Sequence, residues 1–229
     1  MKTSQQRRLV FVTGSDTGVG KTVLTAAFTR HLRATGLNAV ALKPLCSGGR
    51  DDARALRSAA ADALALNEVN PWHFRAALAP TLAARLEKRR ITQPEVAACV
   101  RTVARRFELT LVEGAGGLLS PLTGDGDNRD LLAALRPDAV IAVVPNRLGA
   151  VNQARLVLAA LPKIARRRTV FVLVEQRKPD AASRTNAALL AEFAPGVPVV
   201  RLPWLASGRL TPRAAAALDA LAAFALADG

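Results

Sequence analysis

Residues 9–22 read Leu9-Val10-Phe11-Val12-Thr13-Gly14-Ser15-Asp16-Thr17-Gly18-Val19-Gly20-Lys21-Thr22, and a helical pattern follows them. An apolar run, a glycine-rich turn and a helix in that order aim backbone N–H groups at one point near the positive end of a helix. Such a cradle suits phosphate. Lys21 can reach β- and γ-phosphates, and Thr22 can offer its hydroxyl to Mg²⁺. Ser15 occupies the place where the general phosphate-loop pattern has its first glycine, and Gly14 sits one residue early; the Gly20-Lys21-Thr22 end is intact. The stretch predicts a nucleoside triphosphate site that uses Gly18, Val19, Gly20, Lys21, Thr22 and Val23.

Outward from this unit, runs rich in Val, Ile and Leu recur at 39–42, 109–112, 139–144, 170–174 and 197–202, with helical patterns between most of them. This alternation predicts an α/β fold: a doubly wound, mostly parallel sheet with helices on both faces, of the P-loop type, forming one domain over 1–229. A long insert between the second and third runs should hold two or three helices. One of them is announced by Thr92-Gln93-Pro94-Glu95, a capping box with proline in the first turn, and 211–227 reads as a terminal helix. Ligands of such sheets sit beyond the carboxyl ends of the strands. The segments to inspect are therefore Lys43 to Gly49, Glu113 to Gly117, Pro145 to Gly149, Glu175-Gln176 and Pro203-Trp204-Leu205.

Composition narrows the function. The net charge of +14 invites nucleic acid, but the basic residues are scattered in twos and threes and aromatic residues, at 4%, do not interleave with them. Charge alone reports non-specific affinity, so no specific nucleic-acid partner is expected. No apolar segment reaches the ~18 to 20 residues of a membrane span, and the basic N-terminus leads into too few apolar residues for a signal-peptide core. A cytoplasmic protein without a membrane partner is expected. Cys46 and Cys99, the only cysteines, lack metal-ligand spacing and read as free thiols without a catalytic role.

Taken together, the motifs resemble those of the dethiobiotin synthetase family. The residues that carry the resemblance are the extended loop from Val12 to Thr22 with its off-register first glycine, Lys43-Pro44 with Ser47-Gly48, Asn70-Pro71-Trp72-His73-Phe74, Glu113-Gly114-Ala115-Gly116-Gly117 and Pro203-Trp204-Leu205. The resemblance implies an ATP- and Mg²⁺-dependent cyclo-ligase that joins CO₂ to 7,8-diaminononanoate through a carbamate and a carbamic-phosphoric anhydride. It implies catalytic roles for Lys43, Lys21 and Thr17. The ATP site would include Asp52, Glu113, Gly114, Ala115, Gly116, Pro203, Trp204 and Leu205 beside the phosphate loop. Ser47 would face the diamine. Gly149 and Asn152, at the start of a helix, would serve the substrate of a partner subunit, which implies a homodimer.

Thr22, Asp52 and Glu113 are the expected Mg²⁺ ligands. A carboxylate ending an apolar strand is costly to desolvate unless paired, which favours a metal partner for Glu113. The segment 47–66 is shorter than usual for the family, so Asp51 competes with Asp52 for that role. After the fifth run the family usually has an asparagine that reads adenine, whereas this chain has Glu175-Gln176. A carboxylate only accepts and a carboxamide can pair bidentately with adenine. Gln176 is therefore expected to read the base, with Glu175 solvated or on the ribose; the alternative is that neither does and nucleotide selectivity is relaxed. Two other readings stand beside the ligase: a partition- or septum-type regulatory ATPase, against which Gly14-Ser15-Asp16 lacks the extra lysine of that class, and half of an amidotransferase, for which the chain is too short to hold a glutaminase.

Overall fold

The structure is a computed structural model and describes residues 7–205 and 210–227. In chain order its strands and helices are β1 Arg8–Gly14, α1 Lys21–Ala34, β2 Ala39–Leu42, β3 Leu45–Ser47, α2 Asp51–Ala59, α3 Leu66–Val69, β4 Trp72–Phe74, α4 Pro80–Leu86, α5 Gln93–Ala104, β5 Leu109–Glu113, α6 Asn128–Leu135, β6 Ala139–Asn146, α7 Ala150–Ala160, α8 Lys163–Arg166, β7 Thr169–Glu175, α9 Asn186–Phe193, β8 Val199–Leu202 and α10 Pro212–Leu226. Residues 1–6, weighed above as a leader, lie outside the described part.

Six strands form a parallel sheet in the order β2-β5-β1-β6-β7-β8. All six apolar runs are in it. β1 lies at its middle, and Val10, Phe11 and Val12 are fully buried because helices cover both faces; each such side chain contributes ~1.5–3 kcal/mol by leaving water. On α1, Leu24, Phe28 and Leu32 repeat every four residues and all are buried. Thr25 and Thr29 are buried on the same helix because their hydroxyls donate to the carbonyls of Lys21 and Thr25, at 2.8 and 2.7 Å. α10 lies beside α1, and His31 meets Asp219 at 2.8 Å between them.

The insert departs from expectation. It holds four helices, α2 to α5, rather than two or three, and β3 and β4 pair in parallel as a second, two-stranded sheet. Three-residue strands fall below the length at which hydrophobic alternation can be read, so the pairing leaves no periodic trace. At α5 the carboxylate of Glu95 accepts from both the N–H and the hydroxyl of Thr92, each at 2.7 Å. The box forms, although its threonine spends its hydroxyl on Glu95.

Candidate active site

Strand register gathers the charged residues. Leu42 of β2 pairs with Val112 of β5, and Val12 of β1 pairs with Glu113, so Lys43 and the phosphate loop emerge on either side of Glu113. Thr22 Oγ1 donates to Glu113 Oε1 at 2.6 Å. Lys43 Nζ lies 3.0 Å from the same oxygen and also donates to Asp52 Oδ2. Asp51, one residue earlier, turns to Arg54 at 2.8 Å.

Glu113 is 1% exposed, and its second oxygen, Oε2, is buried with no hydrogen-bond partner among the described residues. An orphaned carboxylate oxygen at that depth is costly. With Thr22 and Asp52 it makes a hard-oxygen set that fits Mg²⁺, which typically takes one or two carboxylates and fills its octahedron with water and phosphate. Among the described residues no group of three or more His, Cys, Asp or Glu forms an all-protein cage.

The two lysines are equally buried yet electrostatically unlike. Burial pulls the Lys21 ammonium down to about 8, with Glu113 opposing it and the charge of Lys43 adding to it; its Nζ donates to the Asp16 carbonyl at 2.6 Å. Burial also works against Lys43, but the charge of Glu113 and the hydrogen bond and charge of Asp52 outweigh it and hold that pKa above the ordinary range. Lys43 is thus a fixed cation.

The early glycine of the loop has a packing cause. A Cβ at Gly14 would fall 2.7 Å from Val19 Cγ2 and 3.1 Å from the Val143 carbonyl, so only glycine lets the loop fold back onto β1 and β6. Gly20, at φ 99°, turns the chain into α1. Ser15 needs no such freedom: its N–H donates to the Val143 carbonyl at 3.0 Å.

Two cavities open at this edge of the sheet. The larger, about 620 Å³, is lined by Thr17, Lys43, Cys46, Ser47, Asp52, Ala115 and Gly116 among others. The smaller, about 360 Å³, is lined by Gly18, Val19, Gly20, Val23, Gln176, Trp204 and Leu205, and Thr17 belongs to both. Cys46 faces the larger space as a plain thiol: burial pushes its pKa up, and its Sγ donates to the Gly49 carbonyl at 3.0 Å. Ser47 Oγ donates to the Leu78 carbonyl and so ties β3 to the segment before α4.

Gln176 lines the smaller cavity, whereas Glu175 Oε1 accepts from Arg201 Nε and Nη2 at 2.8 and 2.6 Å. Pro203 and Gly114 shape their turns without lining either space. Gly149 caps α7 at φ 91° and Asn152 is exposed on its first turn; neither lines these two cavities.

Asp16, Arg147 and Gln153 in the smaller cavity, and Ser120 in the larger, were not anticipated. Asp16 carried a sequence signal by lying inside the loop, and Arg147 by lying in the segment after the fourth run; Gln153 and Ser120 carried none. Another unforeseen feature supports the turn before α7. Asn146 Nδ2 donates to the Ser183 carbonyl at 2.9 Å, Asn186 Nδ2 to Asn146 Oδ1 at 2.9 Å, and Leu148 N to Asp180 Oδ2 at 2.7 Å.

Comparison with known proteins agrees with this geometry. The AAA domain family matches residues 8–208. The ATP-dependent dethiobiotin synthetase BioD of Anaeromyxobacter dehalogenans (strain 2CP-1 / ATCC BAA-258) is 41% identical over 204 residues, covering 86% of this chain and 90% of its own length. The chain belongs to the ATP-dependent dethiobiotin synthetase family. Family proteins of the same name from Pseudomonas aeruginosa (strain UCBPP-PA14) and Akkermansia muciniphila are 39% and 37% identical, covering 90% and 81% of this chain and 93% and 87% of their own lengths. As a dethiobiotin synthetase family member it is an ATP-dependent ligase of biotin synthesis. Among solved structures, a ParA family ATPase from Chlorobium tepidum TLS aligns with TM-score 0.52 at 13% identity, over 88% of this chain and 86% of that one. At that identity the likeness shows the P-loop fold the family shares, and nothing more. No helix among the described residues is long and apolar enough to cross a membrane.

Proposed function

We propose that the protein, acting in the cytoplasm, uses ATP to close a cyclic urea from 7,8-diaminononanoate and CO₂, with the nucleotide in the smaller cavity and the diamine in the larger. The observation that carries this reading is the sharing of Thr17 by both cavities, with Lys43 in the wall of the larger. A phosphoryl donor and its acceptor would meet there.

One amine of the diamine adds to CO₂ and loses a proton, giving a carbamate. A carbamate oxygen attacks the γ-phosphorus and ADP leaves; the second amine then attacks the carbamoyl carbon and expels phosphate, which closes the ring. Carbamate and γ-phosphate are both anionic, so bringing them together needs positive charge already in position. Lys43 supplies it as a fixed cation, Lys21 reaches the phosphates from the loop, and the N–H groups of the 18–22 turn complete the cradle. Mg²⁺ held by Thr22, Asp52 and Glu113 would neutralise charge on the phosphate oxygens. Thr17 and Ser47 stand in the larger cavity to orient the diamine and its carbamate.

The substrate's tail carboxylate would be met by Gly149 and Asn152 of a second copy. Leu148, just before α7, and Leu156, one turn after Asn152 on α7, are 76% and 62% exposed, and Arg155 of α7 stacks on the half-exposed Phe193 of α9 at 5.4 Å. This apolar surface supports a homodimer.

Purified protein with ATP, Mg²⁺, bicarbonate and 7,8-diaminononanoate should yield the cyclic urea by mass spectrometry, and ATP hydrolysis should depend on the diamine. Hydrolysis equally fast without it sinks the reading. Mixed Lys21→Ala and Asn152→Ala subunits should regain activity if sites are shared between copies; a fully active monomer would refute the dimer.

A further inference from the structure

We infer that Asn70 is a positioning residue for the reaction, which together with Arg50 fixes Lys43 against Asp52. After Leu42 the chain leaves the six-stranded sheet, and Pro44 has no N–H to extend a ladder. The carboxamide of Asn70 takes the place of that ladder. Its Nδ2 donates to the carbonyls of Lys43, Pro44 and Trp72 at 2.8, 3.3 and 3.3 Å, although it lies 27 residues from Lys43 in sequence. Lys43 N donates to the Val69 carbonyl at 2.9 Å, next to Asn70. Both ends of the Lys43 backbone are thereby tied to one short segment.

The other face of Asn70 carries the link to the metal side. Its Oδ1 accepts from Arg50 Nε at 3.1 Å and its own carbonyl accepts from Arg50 Nη2 at 2.9 Å, while further bonds from Nη2 reach Leu66 O and Asn67 Oδ1. Arg50 caps α2, whose second residue is Asp52, the partner of Lys43. The amide and the guanidinium therefore join the two segments that carry the ion pair. Asn70 is 1% exposed and lines neither cavity, so it acts through Lys43 and touches no substrate. A displacement of about 1 Å in a reacting geometry can cost ~10²-fold, and among the described residues Lys43 has only backbone anchors beyond its ion pairs.

Asn70→Asp keeps the size and the acceptor for Arg50 but gives up the donor. Urea formation should fall ~10-fold or more in kcat with KM for ATP nearly unchanged, and the thermal midpoint should drop because a buried carboxylate oxygen then faces the three carbonyls. The decisive readout is a double-mutant cycle. In a Lys43→Ala background the same Asn70→Asp change should cost less than ~2-fold, because its effect passes through the missing lysine. Equal losses in both backgrounds would overturn the inference. Should Asn70→Asp fail to fold, Arg50→Gln is put through the same cycle; failure of both to fold also overturns it, since the pair would then be a folding element alone. The inference rests on the role of Lys43 proposed above. Full activity of Lys43→Ala would discard that role and the inference together, whereas a strongly impaired Lys43→Ala with additive losses discards only the inference.

Discussion

At the end of the site proposed for phosphate Lys21, Lys43 and Glu113 are 6%, 7% and 1% exposed, and each is bonded to another strand, loop or helix. At the end proposed for the base Val23 and Trp204 are 54% and 51% exposed, and among the described residues Gln176 donates to the carbonyl of Val174 alone, two residues back, at 3.1 Å. Burial removes the water that would screen charge and fixes each group before any ligand arrives, so electrostatic effects are large at the first end. The second end offers an apolar shelf and one carboxamide held by a local bond. It can hold a base without setting a severe filter on which base.

The strongest attempt to break this contrast is charge removal at the buried end. Lys43→Ala and Lys21→Ala should each lower urea formation by ~10²-fold or more, measured as product per enzyme by mass spectrometry; a loss of only a few-fold in Lys43→Ala would mean that burial does not amplify the charge. Glu113→Gln tests the metal side of the same end. It should raise the Mg²⁺ concentration for half-maximal activity by ~10-fold or more, and an unchanged Mg²⁺ titration would remove Glu113 from the ligand set.

At the open end the expected effect is smaller. If Gln176 reads the base, Gln176→Ala should narrow the preference for ATP over GTP and CTP by ~10-fold, within the ~1–3 kcal/mol of a bidentate pair. A wild type that hardly discriminates, or an unchanged preference in the variant, shows that selectivity is relaxed and that Gln176 is not the reader.

A carboxylate remote from both ends gives the baseline for an exposed charge. The hydrogen bond from Arg106, with help from the Ala65 N–H, holds the Glu68 carboxyl below its usual range. Because the folded pKa is depressed, its stabilisation is present above the ordinary value near ~4.3 and is lost as pH falls through the lower folded value. Glu68→Gln should thus lower the thermal midpoint by ~2 °C or less at pH 7 and not at all at pH ~2. A loss that persists in acid would trace to packing instead of charge.

The sequence alone determined the six sheet strands, the phosphate loop between β1 and α1 and the capping residues of α5, because each depends on hydrophobic period or turn chemistry within a few neighbours. It also brought Lys43, Glu113 and Gln176 to notice, since each follows an apolar run and strand ends are where such sheets bind ligands. Only the tertiary structure decided which of these residues meet. The β2-β5-β1 order sets Lys43 and Thr22 on the same oxygen of Glu113, and α2 turns Asp52 rather than Asp51 toward them. The β3–β4 pairing and the bond from Asn70 to Lys43 join positions 27 residues apart, and Arg201 claims Glu175 from a neighbouring strand. Pairings of that kind are set by strand register and by the packing of whole elements, and no local pattern records them.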